Sequence, residues 1–435
     1  MLKRMCACLI GLLLLGAARA EAPLCVVEGK VACMVDRDGD TLLRGPDIED
    51  AFIVREDALY AAGRKGEYRL YNASGEPLGE TAFAMIEDQG DCLIFRSGSR
   101  YGAMAADGSV LLPATWTQLT SDGAGGWLAL DTDPLDESPD AILHIDANGE
   151  ATPTGARTSI GLSRLQSGRM PIAVPNGRYG AVNARGTVVI SAEWRAMGAF
   201  LDGCAKATGP DGMGLIDPDG AVLAPTIYRW LERGEGIIAA LRDDGLDVYA
   251  SDGAALFGLE GENLEATLAG RYIAVTSGAI TRLYDGAGAV IAESDAGVSY
   301  APGTRGQLIV SDGAWGERCA WLMNSDGSAA SGRFQRILPL CEGRYAFLEM
   351  EGAEYYSAEL DRVQTSWNYD TIRYGLMDGA GNILAPAEYR KIRALGADRL
   401  LMVTNEEIRL TDADGEIIAS WLTAEAEAPT GEAAS

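Results

Sequence analysis

The sequence predicts an all-β protein made of about eleven tandem units of about 36 residues. Three observations carry this. A turn glycine recurs along the chain, at Gly39, Gly75, Gly108, Gly149, Gly186, Gly220, Gly253, Gly288, Gly327, Gly381 and Gly415. Ten of these eleven have an apolar residue four positions earlier, and nine have Asp or Asn three positions earlier. Beyond the first twenty residues, no long stretch shows the 3.6-residue apolar period of a helix.

Each unit can be justified from its chemistry. Asp or Asn accepts hydrogen bonds from backbone N–H groups two residues on and starts a turn, as at Asp36, Asn72, Asp146, Asn183, Asp217, Asp285, Asn324, Asp378 and Asp412. The glycine supplies the positive φ that closes a short hairpin loop. Apolar pairs follow, such as Val188-Val189, Val222-Leu223 and Ile383-Leu384. An aromatic stands eight residues after the anchor in five units: Phe83, Trp116, Trp194, Tyr228 and Tyr389. Pro113, Pro225 and Pro386 precede three of them, where proline ends a strand. These aromatics are expected to be structural. A further apolar run in most units gives three or four strands per unit, which suits a propeller blade. Eleven blades exceed the usual ring of about 4–8, so one large ring, two smaller rings or an open β-repeat array are all compatible. The degenerate stretch near 230–270 is the expected break between two lobes.

The ends differ from the repeats. Lys3 and Arg4, an apolar run and Ala18-Arg19-Ala20 form a secretory signal peptide pattern, with cleavage expected after Ala20. The run is too short to span a bilayer. The repeat region is expected over 21–422, and the acidic, Ala-rich 423–435 reads as a disordered tail. The expected location is therefore outside the cell or in its envelope. Formal net charge is −27, which disfavours nucleic acid and anionic membrane surfaces as partners. Among the cysteines, Cys25 and Cys33 bracket a probable hairpin and are the best local disulfide pair.

The units Tyr179-Gly180-Ala181-Val182-Asn183 through Trp194, Met213-Gly214-Leu215-Ile216-Asp217 through Tyr228, and Tyr374-Gly375-Leu376-Met377-Asp378 through Tyr389 resemble the WG-repeat family of bacterial proteins. Tyr101-Gly102 through Trp116 is a fourth such copy, and the other units lack the aromatic-Gly pair. The one literal Trp-Gly, Trp315-Gly316, lies out of register. The resemblance implies a repeat fold and a binding or scaffolding role, and it implies no reaction. Leu283 through Ile291 also resembles the turn of quinone-cofactor propellers, without their repeat tryptophan, and no cofactor is expected.

Candidate chemistry is sparse. His144 is the single histidine, so any triad or histidine-rich metal site would depend on it. Asp36-Arg37-Asp38-Gly39-Asp40 opens like a calcium loop and places Asp47 at the twelfth position; Asp217-Pro218-Asp219-Gly220 and Asp412-Ala413-Asp414-Gly415 have no acid there. Hairpin turns account for all three, and no metal, cofactor or catalytic residue is assigned. A carbohydrate-active or other hydrolytic propeller enzyme is the alternative to a binding module. The spacing of 54 between Gly327 and Gly381 carries about one extra hairpin with Tyr355, Tyr356, Trp367 and Tyr369. Tyrosine and tryptophan make compact contact sites, so this segment is the expected interaction surface for a protein or glycan.

Overall fold

A computed structural model describes residues 23–423 except 30, 46, 57, 133–137, 139, 314–318 and 358–361, and for 354–357 and 362–364 it describes the backbone alone. The expected signal peptide therefore lies outside the described residues, as do Trp315-Gly316 and the expected acidic tail apart from its first residue, Thr423, which is buried and donates to the Glu406 and Asn405 carbonyls. The described chain is β throughout, apart from one 3-10 turn, Tyr369–Thr371. None of its helices is long and apolar enough to cross a membrane, which says nothing about spanning strands.

The strands form eleven antiparallel sheets in sequence order and one separate two-stranded hairpin. Blade 3 shows the pattern: Met85–Asp88, Leu93–Ser97, Arg100–Met104 and Val110–Trp116 pair consecutively. Blades 4, 6, 7, 8, 10 and 11 are likewise four-stranded. The opening strands of neighbouring blades approach one another, Leu24–Glu28 with Asp50–Arg55, Asp50–Arg55 with Met85–Asp88, and Glu265–Ala269 with Ser299–Pro302. Blades converge toward an axis, so these are the inner strands of ordinary blades (blade 1 is the exception described below). The second and third strands are buried on both faces, as in Val31–Val35 and Ile237–Arg242. The outer strands expose alternate residues, including Val222, Ile383 and Ile417.

The core is a series of layers between blades rather than one centre. Leu119, Trp127 and Ile145 of blade 4 pack on Ile94 and Leu112 of blade 3. Ile172 and Val182 of blade 5 pack on Leu128 and Ile142 of blade 4. The series continues to Leu400 and Met402 of blade 11 against Leu376 and Tyr389 of blade 10. It then closes: Leu401, Val403, Ile408 and Leu410 of blade 11 pack on Leu24, Val26, Val31 and Val35 of blade 1. One ring of eleven blades results. The expected break near 230–270 does not occur, because Ile237, Leu246 and Val248 of blade 7 pack continuously on Leu264, Ile273 and Val275 of blade 8.

The anchor glycines now have a physical reason. All eleven have φ between +72° and +92°, which L side chains rarely adopt. Their turns also press on the preceding blade. A Cβ on Gly108 would lie 2.3 Å from the carbonyl oxygen of Leu78 in blade 2. An arginine at the start of some second strands reaches the turn of the next blade. Arg169 donates from Nε to the Pro218 carbonyl at 2.6 Å, and Arg344 does the same to Ala413 at 3.0 Å. Arg399 repeats the contact across the seam, donating to the Arg37 carbonyl at 3.4 Å. The junction of the chain ends thus uses the same contact as ordinary junctions.

Blades 1 and 5 have no inner strand among the described residues. In blade 5, Arg169–Ala173 becomes the inner edge and contains Pro171, a residue that cannot donate to a further ladder. The irregular segment before it crosses the inner side of blades 4 and 3, with Leu162 N–H on Gln118 and Arg164 on the Asp88 carbonyl.

The Cys25–Cys33 expectation is corrected by register. Glu28 pairs with Val31, Cys25 with Met34, and Cys33 with Val26. Directly opposed residues share a sheet face and neighbours alternate, so the two thiols point to opposite faces and both are free. Burial, aided by the neighbouring Cys33, pushes the Cys25 thiol up to about 12.

Candidate functional site

Consecutive antiparallel strands place two kinds of loop at opposite ends of the ring. The Asp-x-x-Gly turns, which join third to outer strands, share one end with the loops after the inner strands. The loops joining second to third strands lie at the other end.

The turn end is locked by its own hydrogen bonds. Asp36 Oδ1 accepts from the N–H groups of Asp38 and Asp40 at 3.0 and 2.8 Å. Asp217 accepts from Asp219 and Ala221, and Asp412 from Asp414 and Glu416, in the same geometry. Asp47, the twelfth position of the calcium-like loop, pairs instead with Arg64. Among the described residues, no three His, Cys, Asp or Glu side chains gather as a metal site. His144 sits in the third strand of blade 4 with Nε2 3.0 Å from Asp122 Oδ2. Asp122 also accepts from the Ala124 and Gly126 N–H groups, so the pair braces a turn.

The loop end is uneven. Most second-to-third connections are tight, such as Gly98-Ser99 in blade 3 and Asp243-Asp244 in blade 7. Three are long: 131–139 in blade 4, 312–319 in blade 9 and 350–372 in blade 10. The last two are neighbours. In blade 10 the chain leaves Arg344–Glu349, forms the hairpin Gly352–Ser357 with Arg362–Trp367, and returns at Arg373–Asp378. The hairpin is a sheet of its own and takes no part in the blade ladder.

The hairpin's base is fixed. Asn368 N–H donates to the Glu351 carbonyl at 2.9 Å. The Thr371 hydroxyl donates to the Asn368 carbonyl at 2.6 Å and accepts from Glu351 N–H at 2.9 Å. Gln335 ties the base to blade 10 through the Met350 carbonyl at 3.0 Å. An open cavity of about 340 Å³ lies here, lined by Gln335, Glu349, Met350, Glu351, Thr371 and Arg373. At the same end of blade 9, the Arg333 guanidinium stands 4.4 Å over the Trp321 ring and holds both oxygens of Asp312 at 2.6 Å. That ion pair keeps the Asp312 carboxyl below its ordinary range.

The four aromatics singled out by sequence divide as follows. Tyr369 is 63% exposed at the hairpin's foot. Trp367 is half-buried and covers Gly352 directly opposite; a Cβ there would come within 2.7 Å of the indole. Tyr355 and Tyr356 pair with Gln364 and Val363 in the hairpin backbone, and their side chains lie outside the described residues. Sequence reading missed the Arg333–Trp321–Asp312 group and the cavity. Their only sequence signal is the spacing between anchors, since the residues come from two blades.

The repeat aromatics at the eighth position are not uniform. Phe83, Tyr228 and Tyr389 are buried, whereas Trp116 and Trp194 are half-buried at the blade rim. The Tyr228 hydroxyl donates to Asp247 at 2.8 Å and meets the Tyr249 hydroxyl. Tyr389 receives Arg409 from the equivalent position of the next blade. Burial drives the Tyr228 and Tyr389 phenols upward.

Several carboxylates titrate away from their ordinary values, among them Asp88, Asp146, Asp244, Asp312 and Asp378, and all are displaced downward.

No family model and no curated protein matches the chain. Among solved structures it is similar to BamB from Moraxella catarrhalis, at 13% identity over 66% of this chain and 96% of that one, with a TM-score of 0.28. It is also similar to a eukaryotic initiation factor, at 11% identity over 92% and 85% of the two chains, with a TM-score of 0.33. A third likeness is to PorZ of Porphyromonas gingivalis, at 10% identity over 90% and 71%, with a TM-score of 0.25. At these identities and scores, none of them bears on what this chain binds.

Proposed function

We propose that this chain is an exported, non-catalytic WG-repeat protein that binds a protein or glycan partner. The contact surface is the loop end of blades 9 and 10, centred on the hairpin. The observation that carries the reading is the hairpin itself. It interrupts blade 10 without joining its ladder, so ring packing does not require it. Aromatic and cationic groups at the loop end of blades 9 and 10, Trp321, Arg333, Trp367 and Tyr369, are residue types that dominate binding energy at contact surfaces. The signal-peptide pattern supports export, and the four aromatic-Gly units support the WG-repeat assignment.

The test compares the unaltered chain with Trp367→Ala/Tyr369→Ala on a glycan panel and against cross-linked envelope extracts of the producing cells. Loss of a specific partner, at about tenfold or more, with an unchanged melting temperature is the expected result. Equal binding by both proteins removes the hairpin from the surface. Hydrolysis of any panel glycan by the unaltered chain overturns the non-catalytic reading.

A further inference from the structure

Blade 1 enters the ring at what is elsewhere the second strand, so Leu24–Glu28 is its innermost strand. Glu28 and Val31 form a hydrogen-bonded pair, and alternate residues then turn outward. Cys25 and Val27 therefore aim their N–H and C=O groups at the open side. Only the Val27 carbonyl has a partner there among the described residues, Arg393 Nη2 at 3.1 Å. Unlike blade 5, this edge contains no proline in Leu24–Glu28 to forbid a further strand. Arg393 itself is incomplete: its Nε is buried with no hydrogen-bond acceptor. A buried donor left without a partner is costly, so an acceptor is called for at this place.

The path of the chain says where that acceptor comes from. At ordinary junctions the outer strand of one blade leads within one to four residues into the inner strand of the next. Trp116 is followed by Gln118, Tyr228 by Trp230, Tyr389 by Lys391, and Glu260 by Glu265. The outer strand of blade 11 ends at Leu422, and the next inner position in the ring is that of blade 1, which no strand of the described residues fills. The residues that follow are Ala424-Glu425-Ala426-Glu427-Ala428, a strict two-residue alternation of small and acidic side chains. Lys391 and Arg393 of blade 11 flank the same edge, and Lys391 already pairs with Glu28 at 2.6 Å.

We propose that the inner edge of blade 1 is a strand-acceptor site whose occupant is segment 424–428 of the same chain, added antiparallel to Leu24–Glu28. The added strand bonds the free groups of Cys25 and Val27 and supplies an acceptor to Arg393 Nε. Chain ends are thereby joined by backbone hydrogen bonds as well as by side-chain packing.

Amide hydrogen exchange of peptides covering 24–28 tests this in three proteins: the full chain, the chain ending at Thr423, and full-length Ala426→Pro, which cannot complete the ladder. The full chain is expected to protect the Cys25 and Val27 amides. Both variants are expected to lose that protection by at least tenfold, while Val31–Val35 stays protected. A synthetic peptide of residues 423–430 is expected to restore protection to the truncated chain. Equal protection in all three proteins overturns the proposal. Protection that grows with protein concentration also overturns it, because the strand then comes from a second copy. These outcomes do not depend on the hairpin of blade 10.

Discussion

The two ends of the ring answer to different constraints. At the turn end, each Asp-x-x-Gly loop satisfies its own N–H groups and presses on the preceding blade, so every position is fixed by its neighbours. At the loop end, the second-to-third connections close their own hairpins, and their length is unconstrained by the ring. The longest insertion, 350–372, stands at the loop end. Regularity therefore marks where the ring is held together, and departure from regularity marks where it can be specialised.

The largest expected effect lies between the ends, in the layer that joins blades. Tyr228→Ala removes a fully buried ring packed between blades 6 and 7 and should cost about 3–5 kcal/mol in chemical denaturation. Tyr228→Phe isolates the hydroxyl and should cost about 1–2 kcal/mol. If the alanine variant unfolds at an unchanged midpoint, the layered core is wrong.

Two glycines of blade 3 sharpen the comparison directly. Gly108 is at the turn end with φ +83°, and an added Cβ meets backbone of blade 2. Gly98 is at the loop end with φ +59° and open space around it. Gly108→Ala should cost about 2–4 kcal/mol, combining backbone strain with the clash. Gly98→Ala should cost about 1 kcal/mol from strain alone. Equal losses would show that the turn end is not packed as described.

Trp194→Ala should cost less than a fully buried aromatic, about 1–3 kcal/mol, because the indole is half-buried. A loss above about 4 kcal/mol would place it in the core.

The smallest effect is that of acid. Asp107, Asp146 and Asp326 have carboxyls held below their ordinary value by turn hydrogen bonds. A folded-state value below the unfolded one gives stability that is present above the unfolded value and lost as pH falls through the folded one. Melting temperature should therefore decline below about pH 4. Asp146→Asn keeps the turn's acceptor and should lessen that decline slightly. An identical acid profile in the variant would remove this turn from the cause.

Much of this architecture is legible in the sequence, because the turn chemistry is local. Asp217 and Gly220 announce a hairpin wherever they stand, and the period sets the blade count. Ring closure is not legible, since Leu401 meets Val26 across nearly the whole chain. The misplaced disulfide shows a finer limit. Cys25 and Cys33 flank a real hairpin, but the pairing of Glu28 with Val31 sets the register one position away from pairing them. Pro171 did carry a readable sign that blade 5 lacks an inner strand, though only once Arg169–Ala173 is known to be its edge. For the candidate site, the insertion in blade 10 was visible as a long interval. Trp321, Arg333 and Asp312 of blade 9 were not, because they precede the insertion in sequence and share its end of the ring only through the fold.

The central claim is that the loop end of blades 9 and 10 binds and the turn end does not. Glu351 and Asn368 are already hydrogen-bonded, so residues 352–367 can be replaced by Asn-Gly without opening the blade. The most direct measurement is the affinity of this shortened chain for the partner captured by the full chain, beside Asp217→Lys/Asp412→Lys at the opposite end. The account predicts at least a hundredfold loss for the shortened chain with its melting temperature within a few degrees, and unchanged affinity for the turn-end variant. Retained affinity in the shortened chain, or its loss in the turn-end variant, would contradict it.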